Sequence, residues 1–289
     1  MQISEHLHIL KIPFQVPISP EFKLDRFVNV LLIYGESEVV LVDSGVAGAE
    51  KRIFSYLAAT GRRPEEVKRM ILSHSHPDHL GAARAIKKLT GCRIQAHPAE
   101  REWIEDTARQ GRERPVPGFN ELVGGPVPVD TLLAHSTEIR INPDLRVEVI
   151  HTPGHSPGSI SLHIPADSAV FTGDAIPVPG DLPIFTDWQQ SWDSLNMIKT
   201  LPKTKLLLSS WAVPAANGAH EEIIVRSFDW LRRIKDAVAE AGQEDLPDQD
   251  PLELCRIVCE KLDLPPAAVN PLVAASFAAC LKSGRENEA

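Results

Sequence analysis

The segment ILSHSHPDHLGA, residues 71–82, places His74, His76, Asp78 and His79 within six positions, and all four are metal-ligand types. In an extended chain residues two apart point the same way, so His74 and His76 project together from a strand end. Pro77 stops that strand and keeps His76 extended. Asp78 and His79 then fall at the turn into a helix, and the four side chains fan around one small volume. Taken singly, Asp78 is a helix cap and His79 an exposed first-turn residue. Three histidines and an aspartate this close together are better read as ligands.

Two further segments carry the same chemistry. In VIHTPGHSPGS, residues 149–159, the Pro-Gly pairs impose tight turns that present His155, with His151 a loop residue beside it. In VFTGDAI, residues 170–176, Asp174 ends an apolar strand. A carboxylate at the mouth of a buried strand needs a partner, because burying it unpaired is costly, and a metal is a natural one. Histidine and carboxylate ligands without cysteine make zinc the default, with iron or manganese as alternatives for such a set. Three neutral imidazoles on a divalent ion leave a position open for water, whose pKa falls from 15.7 to about 7. The resulting hydroxide attacks an ester, thioester, lactone or amide carbonyl. Asp78 is the candidate catalytic carboxylate, orienting the nucleophile or carrying a proton to the leaving group.

Regular elements are needed to bring these segments together. Residues 27–43 read as a hairpin, followed by a helix that stops at Gly61. VKRMILSH is a strand running into the histidines, HLGAARAIKKLTG a second helix and CRIQAH another strand, an α/β layered pattern. Residues 101–138 are rich in Pro and Gly without a clear period, which predicts a lid, a substrate loop or a plain surface connection. Strands resume at RVEVIH, SISLHIP and SAVFTGD, then a helix at WDSLNMIKTLP and a last strand at KLLLSS. From residue 219 onward three helices separated by Pro, Asp and Gly breaks form a C-terminal appendage. This divides the chain into residues 1–218, the catalytic part, and 219–289, the helical part. Phe14, Phe22, Phe119, Phe185 and Trp188 are candidates to line a pocket.

The chain has 289 residues and a net charge of −9, a poor match for phosphate backbones, so no nucleic-acid partner is expected. It has no apolar run long enough to span a membrane and no signal-like start. The four cysteines, scattered in a large chain, fit a reducing cytoplasm better than a disulfide framework. The expected partner is a small-molecule substrate. The small and apolar residues of LVAASFAACL could form a homodimer face, or pack back on their own domain.

Together, H-x-H-x-D-H, VLVDSG before the first helix, TPGHSPGS and FTGD resemble the metallo-β-lactamase fold superfamily over roughly residues 5–218. The resemblance implies a four-layered αββα sandwich with the site at the sheet edge. It implies that His74, His76 and His155 form a first metal site, that Asp78 and His79 belong to a second, and that Asp174 bridges them. It assigns to Asp43 the orienting of the ligand loop. The helical appendage is most similar to the glyoxalase II-like and lactonase-like branches, although no glutathione-binding motif maps onto the chain. One position departs from the family. A Gly-His pair usually closes the second site, but here Ser210 and Trp211 stand there. An indole nitrogen only donates. The expectation is therefore a complete first site and an incomplete second one, with His220 as a possible additional ligand reaching back. The alternatives are a mononuclear iron persulfide dioxygenase using His74, His155 and Asp174, and a non-catalytic binding member of the fold.

Overall fold

The computed structural model describes residues 1–17, 21, 23–216, 218–242 and 250–286. Phe22 lies outside the described residues. The strands are β1 (Leu7–Pro17), β2 (Lys23–Tyr34), β3 (Val39–Val42), β4 (Val67–Ile71), β5 (Arg93–Ala96), β6 (Thr131–Leu132), β7 (Glu138–Arg140), β8 (Arg146–His151), β9 (Ile160–Ile164), β10 (Ala169–Phe171), β11 (Leu206–Leu208) and β12 (Ala215–Ala216). The helices are α1 (Glu50–Ala59), α2 (Pro77–Leu80), α3 (Ala83–Thr90), α4 (Arg101–Glu105), α5 (Thr107–Glu113), α6 (Phe119–Leu122), α7 (Trp188–Lys199), α8 (Ala219–Ala241), α9 (Pro251–Lys261) and α10 (Pro271–Glu286).

Two six-stranded sheets result, β1-β2-β3-β4-β5-β6 and β12-β11-β10-β9-β8-β7. The period-2 alternation of strand side chains sorts the apolar residues into layers. In β2 and β3, Val30, Leu32 and Leu41 face a core shared with Ile53 and Leu57 of α1 and Ile86 of α3. Their neighbours Leu31, Ile33, Val40 and Val42 face the other way, against Val147, Val149, Leu162 and Phe171 of the second sheet. The far side of the second sheet, through Val170 and Leu207, packs on Leu195 and Ile198 of α7 and on the C-terminal helices. The order is helix, sheet, sheet, helix, the expected sandwich.

Phe171 is fully buried between the sheets. Its replacement by alanine is expected to cost about 3–5 kcal/mol. The change would be read as a lower urea midpoint at unchanged slope.

Two local readings are corrected. β1 is absent from the hairpin read over 27–43, yet it pairs with β2 from Leu7↔Ile33 to Pro17↔Lys23. Prolines 13 and 17 hide a strand in the sequence. An edge strand tolerates them because the missing N–H costs no ladder bond on its outer side. Residues 101–122, read as irregular, hold the short helices α4, α5 and α6. The C-terminal helices share one continuous apolar core with α7 and the second sheet, so α8 completes the outer layer. The LVAASFAACL stripe is part of that core, with Val273, Ala274, Phe277 and Cys280 buried inside the chain. Among the described residues, no helix is long and apolar enough to cross a membrane.

Candidate metal centre

The parallel strands β3, β4 and β5 and the parallel pair β10–β11 set where the chemistry collects. Asp43 follows β3, His74 follows β4, Asp174 follows β10 and Trp211 follows β11, so four loops at strand carboxyl ends meet at one edge. His155 joins them from the turn between β8 and β9.

Ligand-type atoms of His74, His76 and His155 lie within 4.8 Å of one another, and so do those of His74, His79 and Asp174. His155 Nε2 is 2.8 Å from His76 Nδ1 and 3.4 Å from Asp174 Oδ2. His79 Nε2 is 3.3 Å from Asp174 Oδ1 and 3.4 Å from Asp78 Oδ2. The structure thus brings His74, His76, His79, His155, Asp78 and Asp174 together. His220 joins neither group among the described residues; it sits in the first turn of α8.

Three of the rings have their far nitrogen fixed by an acceptor, which aims the other into the pocket. Ile184 O, an acceptor only, lies 2.8 Å from His155 Nδ1, so that nitrogen carries the proton and Nε2 keeps its lone pair. Ser73 donates its hydroxyl to Asp43 Oδ2 at 2.8 Å. Ser73 Oγ, its own proton so engaged, therefore accepts from His74 Nδ1 at 3.0 Å. His79 Nδ1 donates to Asp43 Oδ2 at 2.8 Å. Asp43 is fully buried and held at φ 61°, a left-handed backbone rarely used by residues with a side chain. Strain of this kind collects where surrounding bonds over-determine a conformation. Gly173 makes the close approach possible on the other side: a Cβ there would lie 3.0 Å from Ser73 Oγ.

The fit to a cation is tested by what is left over. His74 Nε2, His79 Nε2, Asp78 Oδ2 and Asp174 Oδ1 are buried without a hydrogen-bond partner. Buried polar atoms are ordinarily satisfied, and four orphans converging on one pocket are what a metal would satisfy. For the first three imidazoles, electrostatics agree. Burial, together with neighbouring imidazoles, holds His74 and His76 well below the usual histidine range. Burial also lowers His155. These three are neutral near pH 7, the form that ligates. Burial works against charge on His79, but Asp174, Asp78 and Asp43 hold its imidazole well above that range. Burial likewise opposes ionisation of Asp174, yet the imidazoles around it, His79 first, hold its carboxyl well below the carboxylate range.

Asp43 gives a direct prediction. In Asp43→Asn the backbone is spared, since asparagine tolerates the left-handed region. One oxygen must still accept the Ser73 N–H at 2.7 Å, so the amide NH2 would face His79 Nδ1. That reverses the His79 tautomer and removes its lone pair from the pocket. Metal affinity is expected to fall on the order of 10- to 100-fold, measured by chelator competition, with the tautomer read from ring nitrogen NMR shifts.

Arg26 and Arg114, which sequence reading did not single out, join Trp211 around the pocket. Trp211 Nε1 donates to Asp174 Oδ2 at 2.8 Å. Arg26 stacks on the indole, 4.3 Å from its ring centroid, and is itself bonded through both terminal nitrogens to Asp181. Phe14 packs against Trp211. Arg114, at the end of α5, faces Asp78, Asp174 and Glu100; burial pushes its guanidinium down to about 10 against their pull. Phe185 and Trp188 belong instead to the core under the C-terminal helices, where Trp188 Nε1 donates to Leu231 O. Phe119 packs with the α1–α3 side. His151 ends β8, stacked on His97 and 2.9 Å from Pro157 O.

Sheets enclosed between helical layers, with a histidine-rich pocket at one sheet edge, define an αββα protein built around a metal centre. The chain belongs to the metallo-beta-lactamase superfamily, whose family model matches residues 24–210. It is similar to a hydroxyacylglutathione hydrolase of Hyphomonas neptunium, 31% identical over 193 residues, 66% of each chain. A probable metallo-hydrolase of Bacillus subtilis is 28% identical over 148 residues, 51% of this chain and 65% of the other. The chain spans just under two thirds of the length of these two curated relatives. Among solved structures, a metallo-beta-lactamase family protein of Thermus thermophilus aligns at a TM-score of 0.69 and 21% identity, covering 96% of this chain and 94% of that one. A beta-lactamase domain protein of Burkholderia ambifaria aligns at a TM-score of 0.71 and 18% identity, covering 98% and 88%. These two likenesses are of fold.

Proposed function

We propose that the chain is a metal-dependent hydrolase of a small acyl ester, with thioesters the leading class and lactones next. The observation that carries this is the convergence of three neutral imidazoles, His74, His76 and His155, on one pocket beside Asp174. The name of the Hyphomonas relative, a hydrolase of hydroxyacylglutathione, supports the thioester class. Zinc is the preferred metal for this donor set. When bound, the ion supplies an acidified water and a Lewis acid for the carbonyl oxygen.

The remaining steps fall to the chain's own residues. His74 Nε2, His76 Nδ1 and His155 Nε2 would hold the first ion, with the tautomers of His74 and His155 set by Ser73 and Ile184 O. Asp78 orients the attacking water and passes its proton to the leaving group. Arg114 presents a cation to a negatively charged part of the substrate. Asp174 Oδ1 and His79 Nε2 face a second position that lacks a closing imidazole, because Trp211 occupies its place as a donor. A second ion would therefore be weakly held. The four cysteines are all free and buried, which suits the cytoplasm.

Purified protein assayed for metal content and against a panel of acyl thioesters, esters and lactones tests the reading. Zinc with thioester turnover is expected. Iron with oxygen uptake and no ester turnover would replace it with the dioxygenase, and no turnover of any kind would favour a binding role.

A further inference from the structure

We propose that Glu100 is a positioning residue that clamps the two ligand loops together and so preassembles the His74–His76–His155 site. This rests on the reading of those three histidines as metal ligands. Glu100 ends a short 3-10 turn after β5, Pro98–Glu100, and is 2% exposed. No positive side chain forms an ion pair with it among the described residues. Its oxygens divide between the loops. Oε2 accepts from Ser75 N at 2.9 Å and from the Ser75 hydroxyl. Oε1 accepts from Ser156 Oγ at 2.7 Å and from Gly158 N at 2.7 Å. Ser75 lies between His74 and His76, which follow a strand of the first sheet. Ser156 is next to His155, which follows a strand of the second. One buried carboxylate therefore ties a loop of each sheet to the other, within one residue of all three ligands.

The contact is shaped for this side chain. A Cβ at position 158 would lie 2.7 Å from Glu100 Cγ and 2.9 Å from Oε1, so the loop closes onto Glu100 only as glycine. Gln110 braces the same loop from behind, donating its side-chain amide to Ser75 O. Burying a carboxylate is costly unless its oxygens are bonded, and four donors offset that cost only while both loops are docked. The arrangement holds the ligand atoms in binding geometry before a cation arrives. Apparent affinity falls in proportion to the fraction of molecules in the competent state, so loosening the clamp weakens metal binding without touching a ligand.

Glutamine cannot replace Glu100. One donor on each oxygen is a backbone N–H, Ser75 on Oε2 and Gly158 on Oε1, and neither can reverse to accept from an amide NH2. Glu100→Gln must therefore release one loop. Ser156→Ala and Ser75→Ala each remove a hydroxyl while keeping the charge, which separates a clamp from a simple electrostatic pull on the cation.

The test is Co(II) binding to the full-length protein, following both the dissociation constant and the visible ligand-field bands, with circular dichroism as the check on folding. Glu100→Gln is expected to raise the Co(II) dissociation constant on the order of 10- to 100-fold and to change the band pattern. Ser156→Ala is expected to raise it several-fold, and the exposed control Glu121→Gln to leave it alone. Wild-type affinity and bands in folded Glu100→Gln would overturn the proposal. If Glu100→Gln does not fold, Ser156→Ala and Ser75→Ala decide: weakened Co(II) binding supports the clamp, and unchanged binding in both overturns it. Failure of the wild-type protein to bind Co(II) would instead overturn the metal-centre reading itself.

Discussion

Replacing His76 by alanine is expected to empty the first metal site and to lower kcat/KM for thioester hydrolysis at least on the order of 10³-fold, about 4 kcal/mol of transition-state stabilisation. His76 sits at the centre of the first group. Its Nδ1 is 2.8 Å from His155 Nε2, and its ring centroid is 4.4 Å from that of His74. Alanine would leave only His74 and His155 of the three neutral imidazoles, removing the ring at the centre of the group. The metal would be lost on dialysis, and the acidified water with it. Elemental analysis and steady-state kinetics on the same preparation make the check. Two histidines serve as contrasts. His151 is engaged with Pro157 O and the His97 ring, and His220 joins neither ligand group. His151→Ala and His220→Ala are expected to retain metal and turnover. A metal-replete, active His76→Ala protein would refute the assignment of the first site.

Histidine in place of Trp211 is expected to raise the tightly held metal from about one ion per chain to about two, since it restores an acceptor nitrogen where the indole only donates. In the natural chain, Trp211 Nε1 occupies a lone pair of Asp174 Oδ2 at 2.8 Å. Arg26 lies over the same ring, its terminal nitrogens bonded to Asp181. An imidazole there would free Asp174 Oδ2 and complete a set with His79 Nε2 and Asp78 Oδ2, both buried without partners. Loss of an outer partner alone weakens a metal site 10- to 100-fold. Gain of a direct ligand should therefore tighten the second site on the order of 100-fold or more. Trp211→Phe separates the two effects: it removes the donor without supplying a ligand, and its metal content should stay near one. A second ion missing from Trp211→His, or present in the natural protein after dialysis, would show that the indole does not set the stoichiometry.

The candidate site was legible in the sequence wherever its geometry is local. His74, His76, Asp78 and His79 lie on one strand-to-helix turn, and the two-residue period of extended chain aims the first two without help from the rest of the molecule. Pro-Gly turns around His155 and the apolar strand before Asp174 are likewise short-range signals. The layered strands and helices followed from apolar runs punctuated by glycine and proline, apart from β1, where two prolines on an edge strand masked the pattern.

Tertiary structure alone decided the rest. Glu100 stands in HPAERE, where a carboxylate is ordinarily a solvated helix-start residue; only the approach of Ser75, Ser156 and Gly158, 25, 56 and 58 positions away, turns it into a buried four-bond acceptor. The same holds for Gln110 against Ser75 O and for Arg114 facing Asp78 and Asp174. That His220 joins neither ligand group, and that the Trp211 indole donates to Asp174, could be read only once the chain's return after β11 was fixed in space. Spacing and propensity act over a few residues, and they named the candidate ligands. The partners that fix each tautomer, bind the loops and close or block the second site come from distant segments, and their roles exist only after two sheets have buried their faces against each other.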